Sequence, residues 1–158
     1  MYSRRVRLAL FVSALLAGCA PAPAPKEQPP RDPTTEAWYG ETINELTAMN
    51  RQAKELFEKG KADDAAALIE KGEPLSTRLN AVPQPTLAAI EAASDLDQLY
   101  GQMLFSNKHY GWARLLFQKN VARWRNQKPQ TPDTASRLHQ AEAAIAECDR
   151  RMIESNAR

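Results

Sequence analysis

The chain from Trp38 onward consists of alanine-rich stretches that glycine and proline interrupt at wide intervals. Strand patterns that combine glycine with β-branched residues are nearly absent from it. Because such stretches favour helices and are bounded by residues that end helices, we predict an all-α fold. Five helices in antiparallel hairpins are expected at residues 36–59, 61–80, 84–106, 108–127 and 132–155. Pro74 lies inside the second helix and should kink or divide it.

Two of the predicted helices carry a stripe at helical spacing. The stripe of the fourth helix consists of Ala113, Phe117, Asn120 and Trp124. The stripe of the fifth helix consists of Leu138, Ala141, Ile145, Cys148 and Met152. The remaining faces of the fifth helix are charged, which is typical of a helix on the outside of a bundle.

Residues 53–69 and 101–117 resemble each other when Ala65 is aligned with Ala113, an offset of 48 positions. Each segment begins with a small residue, Ala53 or Gly101, and continues with a Leu-Phe pair. Each also has a large apolar residue four positions after the aligned alanine. The chain therefore contains an internal repeat.

This pattern resembles the tetratricopeptide repeat, a helix-turn-helix unit whose small residues let two antiparallel helices cross closely. Gly60 matches the turn glycine of that family, and Tyr110 matches the aromatic residue that starts the second helix. The resemblance covers roughly residues 46–73 and 94–125, although Asp97 stands where the family prefers tryptophan. It implies two degenerate units and a C-terminal capping helix. The alternative is a generic five-helix bundle.

The same resemblance implies a groove that binds an extended peptide along the first helix of each unit. The positions that would line it are Asn50, Lys54, Phe57, Gln98, Gln102 and Phe105. Amide side chains can hold a peptide backbone, and the two phenylalanines can hold an apolar anchor. A groove of two units is short, so binding would be weak unless a tether raised the effective concentration.

The N-terminus has the parts of a bacterial export signal. Three arginines precede an apolar run, 8–17, of about ten residues, whereas a membrane span needs roughly 20. The run ends in Leu16-Ala17-Gly18-Cys19, which resembles the lipobox of bacterial lipoproteins. This resemblance implies cleavage between Gly18 and Cys19 and a covalent lipid on Cys19, with no other cofactor. An ordinary signal peptide and a twin-arginine signal remain alternatives.

These features divide the chain into a signal peptide (1–18), a lipidated cysteine with a proline-rich linker (19–36) and a helical domain (37–156). The linker has six prolines and too few large apolar residues to pack. In an extended form it would reach on the order of 50 Å at ~3.1 Å per residue. Ala20, directly after Cys19, favours the periplasmic face of the outer membrane over the inner membrane.

Charge and chemistry argue against several classes of function. The formal net charge is +2, and removing the three signal-peptide arginines leaves −1, so charge gives no support to nucleic-acid binding. His109 and His139 lack cysteine or carboxylate partners at ligand spacing, and we expect neither an enzyme nor a metal site. With Cys19 lipidated, Cys148 is a buried apolar residue, a free thiol or half of an interchain disulfide.

The fourth helix has a second face that could bind a partner. Residues 36–73 hold nine acids and five bases, whereas residues 106–137 hold seven bases and one acid. This basic segment places the following residues opposite the Phe117 stripe: Lys108, Trp112, Leu115, Lys119 and Arg123. Either a neighbouring helix covers them, or they form an aromatic interface with a basic rim.

We therefore expect a membrane-anchored periplasmic lipoprotein that acts as a scaffold or adaptor for another envelope protein or peptide. The alternative is a structural envelope lipoprotein that forms homo-oligomers, for instance through the fifth helix and Cys148. Nucleic acid is not an expected partner.

Overall fold

The computed structural model describes residues 31–157, and these residues have the predicted all-α fold, without a β-strand. A short 3₁₀ turn at Pro33–Thr35 precedes five α-helices. Their bounds are α1 Ala37–Glu58, α2 Ala62–Asn80, α3 Leu87–Ser106, α4 Tyr110–Asn126 and α5 Pro132–Asn156. All except α3 begin and end within two residues of their predicted positions.

Helix α3 begins at Leu87, three residues later than predicted, because Thr86 is its N-cap. The Thr86 hydroxyl accepts a hydrogen bond from the Ala89 amide at 3.4 Å. The Thr86 amide donates to the hydroxyl of Tyr39 at 2.8 Å. A buried tyrosine of α1 thus holds the start of α3.

Helix α2 continues without a break through Pro74, so of the two predicted effects of this proline, a kink or a division, the division does not occur. Proline removes the amide that would donate to the carbonyl of Glu70. Both residues are exposed. Water can therefore satisfy that carbonyl on the outer face, while the buried face of the helix keeps its bonds.

Consecutive helices pack as hairpins. Helix α1 packs mainly against α2, α3 packs against α4, and α5 packs against α4. Helix α3 also contacts both helices of the first hairpin. It therefore joins the two halves of the domain.

The turns of the first two hairpins repeat each other at the predicted offset of 48 residues. The Gly60 amide donates to the Phe57 carbonyl at 2.9 Å, and the Lys108 amide donates to the Phe105 carbonyl at 3.0 Å. The φ angle is 74° at Gly60 and 63° at Lys108. Both lie in the left-handed region, which costs a residue with a Cβ about 1–2 kcal/mol. The sequence repeat is thus also a repeat of local structure.

Small residues allow the helices within each hairpin to approach closely, as predicted. Ala53 and Ala65 are completely buried in the first hairpin, and Ala113 in the second. A Cβ placed on Gly101 would lie only 2.6 Å from Cε1 of Phe117. Position 101 therefore needs glycine for α3 and α4 to pack as they do.

The core has two clusters of buried residues. The larger cluster joins α1, α2 and α3, and the smaller one places Ala113, Phe117 and Cys148 between α4 and α5. The predicted α4 stripe is confirmed, since all four of its residues are buried. In the α5 stripe, Ala141 and Cys148 are buried and the other three residues are half-buried. Trp124 is further held by a 2.9 Å hydrogen bond from its indole to Ser94 Oγ.

Candidate functional site

A polar groove of about 560 Å³ lies between α1, α3 and α5. Four of the six positions that the tetratricopeptide resemblance implied line this groove: Asn50, Lys54, Gln98 and Gln102. Two of these are on α1 and two are on α3. The structure thus brings together the first helices of both repeat units along one surface.

An apolar cavity of about 320 Å³ adjoins this groove. Phe105, the fifth predicted groove residue, lines it together with Phe117 and Ala144. Gln98, Gln102 and Gln140 line both spaces, so they connect the polar part to the apolar part. The combined surface offers amide groups along its length and an aromatic pocket at one end.

Phe57, the sixth predicted position, lines neither the groove nor the cavity. Its half-buried ring packs instead against the core cluster of α1, α2 and α3. Phe57 therefore lies outside this groove, because its apolar surface packs against the core.

Asn50 has a structural contact at the floor of the groove. It is only 8% exposed, and its Nδ2 donates to the Ala92 carbonyl at 2.7 Å, which ties α1 to α3. Within residues 31–157, its Oδ1 has no hydrogen-bond partner. Lys54 and Gln102 are exposed and are accessible to a ligand.

Helix α5 forms the third wall of the groove, which the sequence analysis missed. Residues at alternating steps of four and three face this surface: Asp133, Arg137, Gln140, Ala144 and Glu147. This spacing is a second helical stripe beside the apolar one, and it was the signal available in the sequence. Helix α5 is thus a wall of the candidate site as well as the last helix of the bundle.

Arg137 joins the α5 wall to α3. Its Nη1 donates to Asp95 Oδ1 at 2.8 Å, and its Nε donates to Asp133 Oδ2 at 3.3 Å. Its guanidinium carbon lies 5.2 Å from the centre of the Trp124 ring. These contacts keep the arginine in place, so the α3 and α5 walls hold a defined position relative to each other.

The second predicted surface, on α4, is exposed at its centre. Trp112 is 67% exposed and Leu115 is 50% exposed, so no helix within residues 31–157 covers them. They line a cavity of about 570 Å³ together with Tyr100, Leu104 and Leu116. An uncovered aromatic centre is what the partner-site interpretation requires.

The predicted basic rim of that surface is partly occupied by contacts to α3. Lys119 Nζ lies 2.7 Å from Asp97 Oδ1, and Arg123 donates to the other oxygen of the same carboxylate. The side chain of Asp97 is only 8% exposed and needs such partners. Arg123, whose side chain is 14% exposed, thus has a structural role. Lys108 and Lys119 are exposed to solvent.

Cys148 is completely buried, and within residues 31–157 it makes no disulfide. Burial raises the pKa of its thiol, and the neighbouring Asp149 raises it further. The interpretation of Cys148 as a buried apolar residue is confirmed. Cys19 and the Gly18–Cys19 cleavage site lie outside the described residues.

Within residues 31–157, no three histidine, cysteine or acidic side chains gather in a way that could hold a metal ion. In the same range, no helix has the length and apolar character to cross a membrane.

No protein-family model matches this chain, and no curated protein or solved structure matches it. The tetratricopeptide resemblance therefore rests on the two segments at 53–69 and 101–117 and on their repeated turns.

Proposed function

We propose that this protein is a lipid-anchored envelope adaptor that binds an extended segment of another envelope protein between α1, α3 and α5. The observation that carries the proposal is the groove itself, in which amide side chains adjoin a phenylalanine-lined cavity. Such a surface fits a segment whose backbone is exposed and which carries one apolar anchor.

The polar and apolar parts of the groove have different roles. The amides of Gln98, Gln102 and Gln140 each offer both donors and an acceptor, which suits the alternating groups of a peptide backbone. The cavity beside Phe105 and Phe117 accepts the apolar anchor. A site with one anchor pocket is weak by itself, and a membrane tether compensates by raising the local concentration of the partner.

The lipid anchor is the sequence-based part of the proposal. Leu16-Ala17-Gly18-Cys19 and the proline-rich segment after it support a lipidated cysteine and a spacer. Ala20 supports the periplasmic face of the outer membrane. The measurement is membrane fractionation: the wild-type chain should be found with the outer membrane, and Cys19→Ser should release it into the soluble fraction. Wild-type protein in the soluble fraction would contradict the anchor.

The groove is tested by replacing Gln102, which is exposed at its centre, with arginine. Gln118→Arg is the matched control, because Gln118 is an exposed glutamine on α4 outside the groove. After crosslinking in native membranes, the wild type and Gln118→Arg should recover the same envelope protein, and Gln102→Arg should lose it. Equal recovery by all three proteins would refute the groove as the binding site.

Sedimentation distinguishes the adaptor from the alternative of a self-associating structural lipoprotein. The full chain with Cys19→Ser should sediment as a monomer over a wide range of concentrations. A mass that rises with concentration would favour the alternative. Cys148 is completely buried in the folded chain, so a disulfide through it would require its surroundings to rearrange.

A further inference from the structure

The positive charges of α4 are matched within the domain. The arginines and the lysine of this helix pair with acids of α3 and α5: Arg114 with Asp149, Lys119 and Arg123 with Asp97, and Arg125 with Glu142. Two of the cations that were predicted to rim the exposed Trp112 thus share one carboxylate. The basic segment of the sequence therefore does not give α4 a surface of free positive charge.

The carboxylates on the outer face of α2 are not matched in this way. Asp63, Glu70 and Glu73 are exposed, and within residues 31–157 none of them makes a salt bridge. Their spacing places them on one face of the helix, along a rise of about 15 Å at ~1.5 Å per residue. This face of α2 is therefore a row of free negative charge.

The acidic row borders a trough formed by α2, α3 and α4. Tyr100 of α3 lines both parts of the trough: a space of about 510 Å³ beside the α2 acids, and the apolar space beside Trp112 and Leu115. Within residues 31–157, the lining of these two spaces includes three acids and no lysine or arginine. The trough shares no lining residue with the groove between α1, α3 and α5 or with its apolar cavity.

We propose that this trough binds an amphipathic helix of another protein, with lysines or arginines on one side and large aliphatic residues on the other. The aliphatic side packs on Tyr100, Trp112 and Leu115, which form an exposed apolar centre. The cations pair with the α2 row. Because the lining carries only negative full charges, it repels an acidic segment or an anionic lipid surface.

Small residues make room for a helix on the α2 side of the trough. Ala66 and Ala67 are exposed and lie between Asp63 and Glu70 in the lining. Alanine at such a position lets a second helix approach closely, as the buried Ala65 does between α1 and α2. A helix that lies along α2 with cations at the spacing of the acidic row places each cation beside a carboxylate. The trough therefore fits a helix whose cations flank an apolar face.

Fluorescence anisotropy of labelled synthetic peptides, added to the full chain with Cys19→Ser, tests this proposal. The probe is an amphipathic helix of leucine and lysine of about 18 residues, or five turns. Its matched control has glutamate in place of every lysine. We expect the lysine peptide to bind, with an affinity that falls as the salt concentration rises, and the glutamate peptide not to bind. Gln102→Arg should leave this binding unchanged, because residue 102 lies outside the trough.

Two substitutions test the two parts of the trough. Trp112→Ala should weaken binding of the lysine peptide about tenfold. Ile153→Ala is its control, since Ile153 is 72% exposed and lies on α5 outside the trough. Glu70→Lys should weaken the same binding about threefold or more. Glu45→Lys is its control, since Glu45 is an exposed acid of α1 outside the trough, and both controls should bind like the wild type.

The proposal is overturned if the lysine peptide does not bind, if both peptides bind equally, or if either substitution has no more effect than its control. Binding of phosphatidylglycerol vesicles that Trp112→Ala abolishes, without binding of the lysine peptide, would overturn it in favour of a lipid surface. A sedimenting mass that doubles with concentration in the wild type and not in Trp112→Ala would overturn it in favour of a second copy of the chain.

Discussion

Replacing Gly101 with alanine tests the close approach of α3 and α4 on which the second hairpin depends. The added Cβ would lie 2.6 Å from Cε1 and 2.8 Å from Cζ of Phe117. Phe117 is only 2% exposed and is packed in the smaller core cluster, so its ring has little room to move. Either the ring or the helix must shift.

Two opposing terms set the size of the effect. Alanine in a helix interior is favoured over glycine by about 1 kcal/mol. Overpacking a closely filled core costs about 1–3 kcal/mol. We therefore expect Gly101→Ala to lower the free energy of unfolding by up to about 2 kcal/mol. Gly40→Ala, where nothing lies within 4 Å of the new Cβ, should raise it by about 0.5–1 kcal/mol.

Urea unfolding of the full chain with Cys19→Ser, followed by circular dichroism, measures both variants. Phe117→Leu should lower the free energy of unfolding less in the Gly101→Ala variant than in the wild type. The smaller leucine side chain makes room for the Cβ of Ala at position 101, so part of the loss is recovered. Equal stabilisation by Gly101→Ala and Gly40→Ala, or strict additivity of the two changes at 101 and 117, would refute the reasoning.

Three further predictions concern stability. Asp97→Ala should lower the free energy of unfolding by about 2–3 kcal/mol in urea, because it leaves the mostly buried Arg123 without its carboxylate; no loss would mean that this pair is not structural. Gly60→Ala should lower the free energy of unfolding by about 1–2 kcal/mol, and Lys108→Gly should raise it by about 0.5–1 kcal/mol, since the backbone at both positions is in the left-handed region. Changes of the same sign in the melting temperatures of these two variants would contradict this prediction. Because burial raises the pKa of Cys148, the unfolded chain loses this proton first, so stability should fall as pH rises above about 8.5. Cys148→Ala should reduce this loss of stability at high pH. An unchanged slope of the free energy of unfolding against pH would contradict the prediction.

Local patterns predicted the helices and much of the core. The α4 stripe from Ala113 to Trp124 was read from spacing alone, and all of it is buried. The 48-residue offset of the repeat aligns Lys108 with Gly60, and the two turns share the same hydrogen bond and the same sign of φ. Such features depend on residues close in the chain, so a single sequence contains the information needed to find them.

The missed features depend on contacts between distant helices. Helix α5 becomes a wall of the groove because Arg137 reaches Asp95, 42 residues earlier. Asp97 was noted only as a departure from the tetratricopeptide pattern, and its pairing with Lys119 and Arg123 required the packing of α4 on α3. Phe57 has the same sequence context as Phe105, yet it packs into the core. Spacing identifies the face of a helix, whereas tertiary packing decides what that face meets.

The measurement that tests the proposed binding groove most directly is site-specific photocrosslinking in native membranes. A photoreactive residue at position 102 lies between the polar groove and the phenylalanine-lined cavity, and one at position 118 lies on α4 outside both. We predict a single adduct with another envelope protein from position 102 and none from position 118. Adducts of equal yield from both positions, or an adduct from 118 alone, would contradict the proposal.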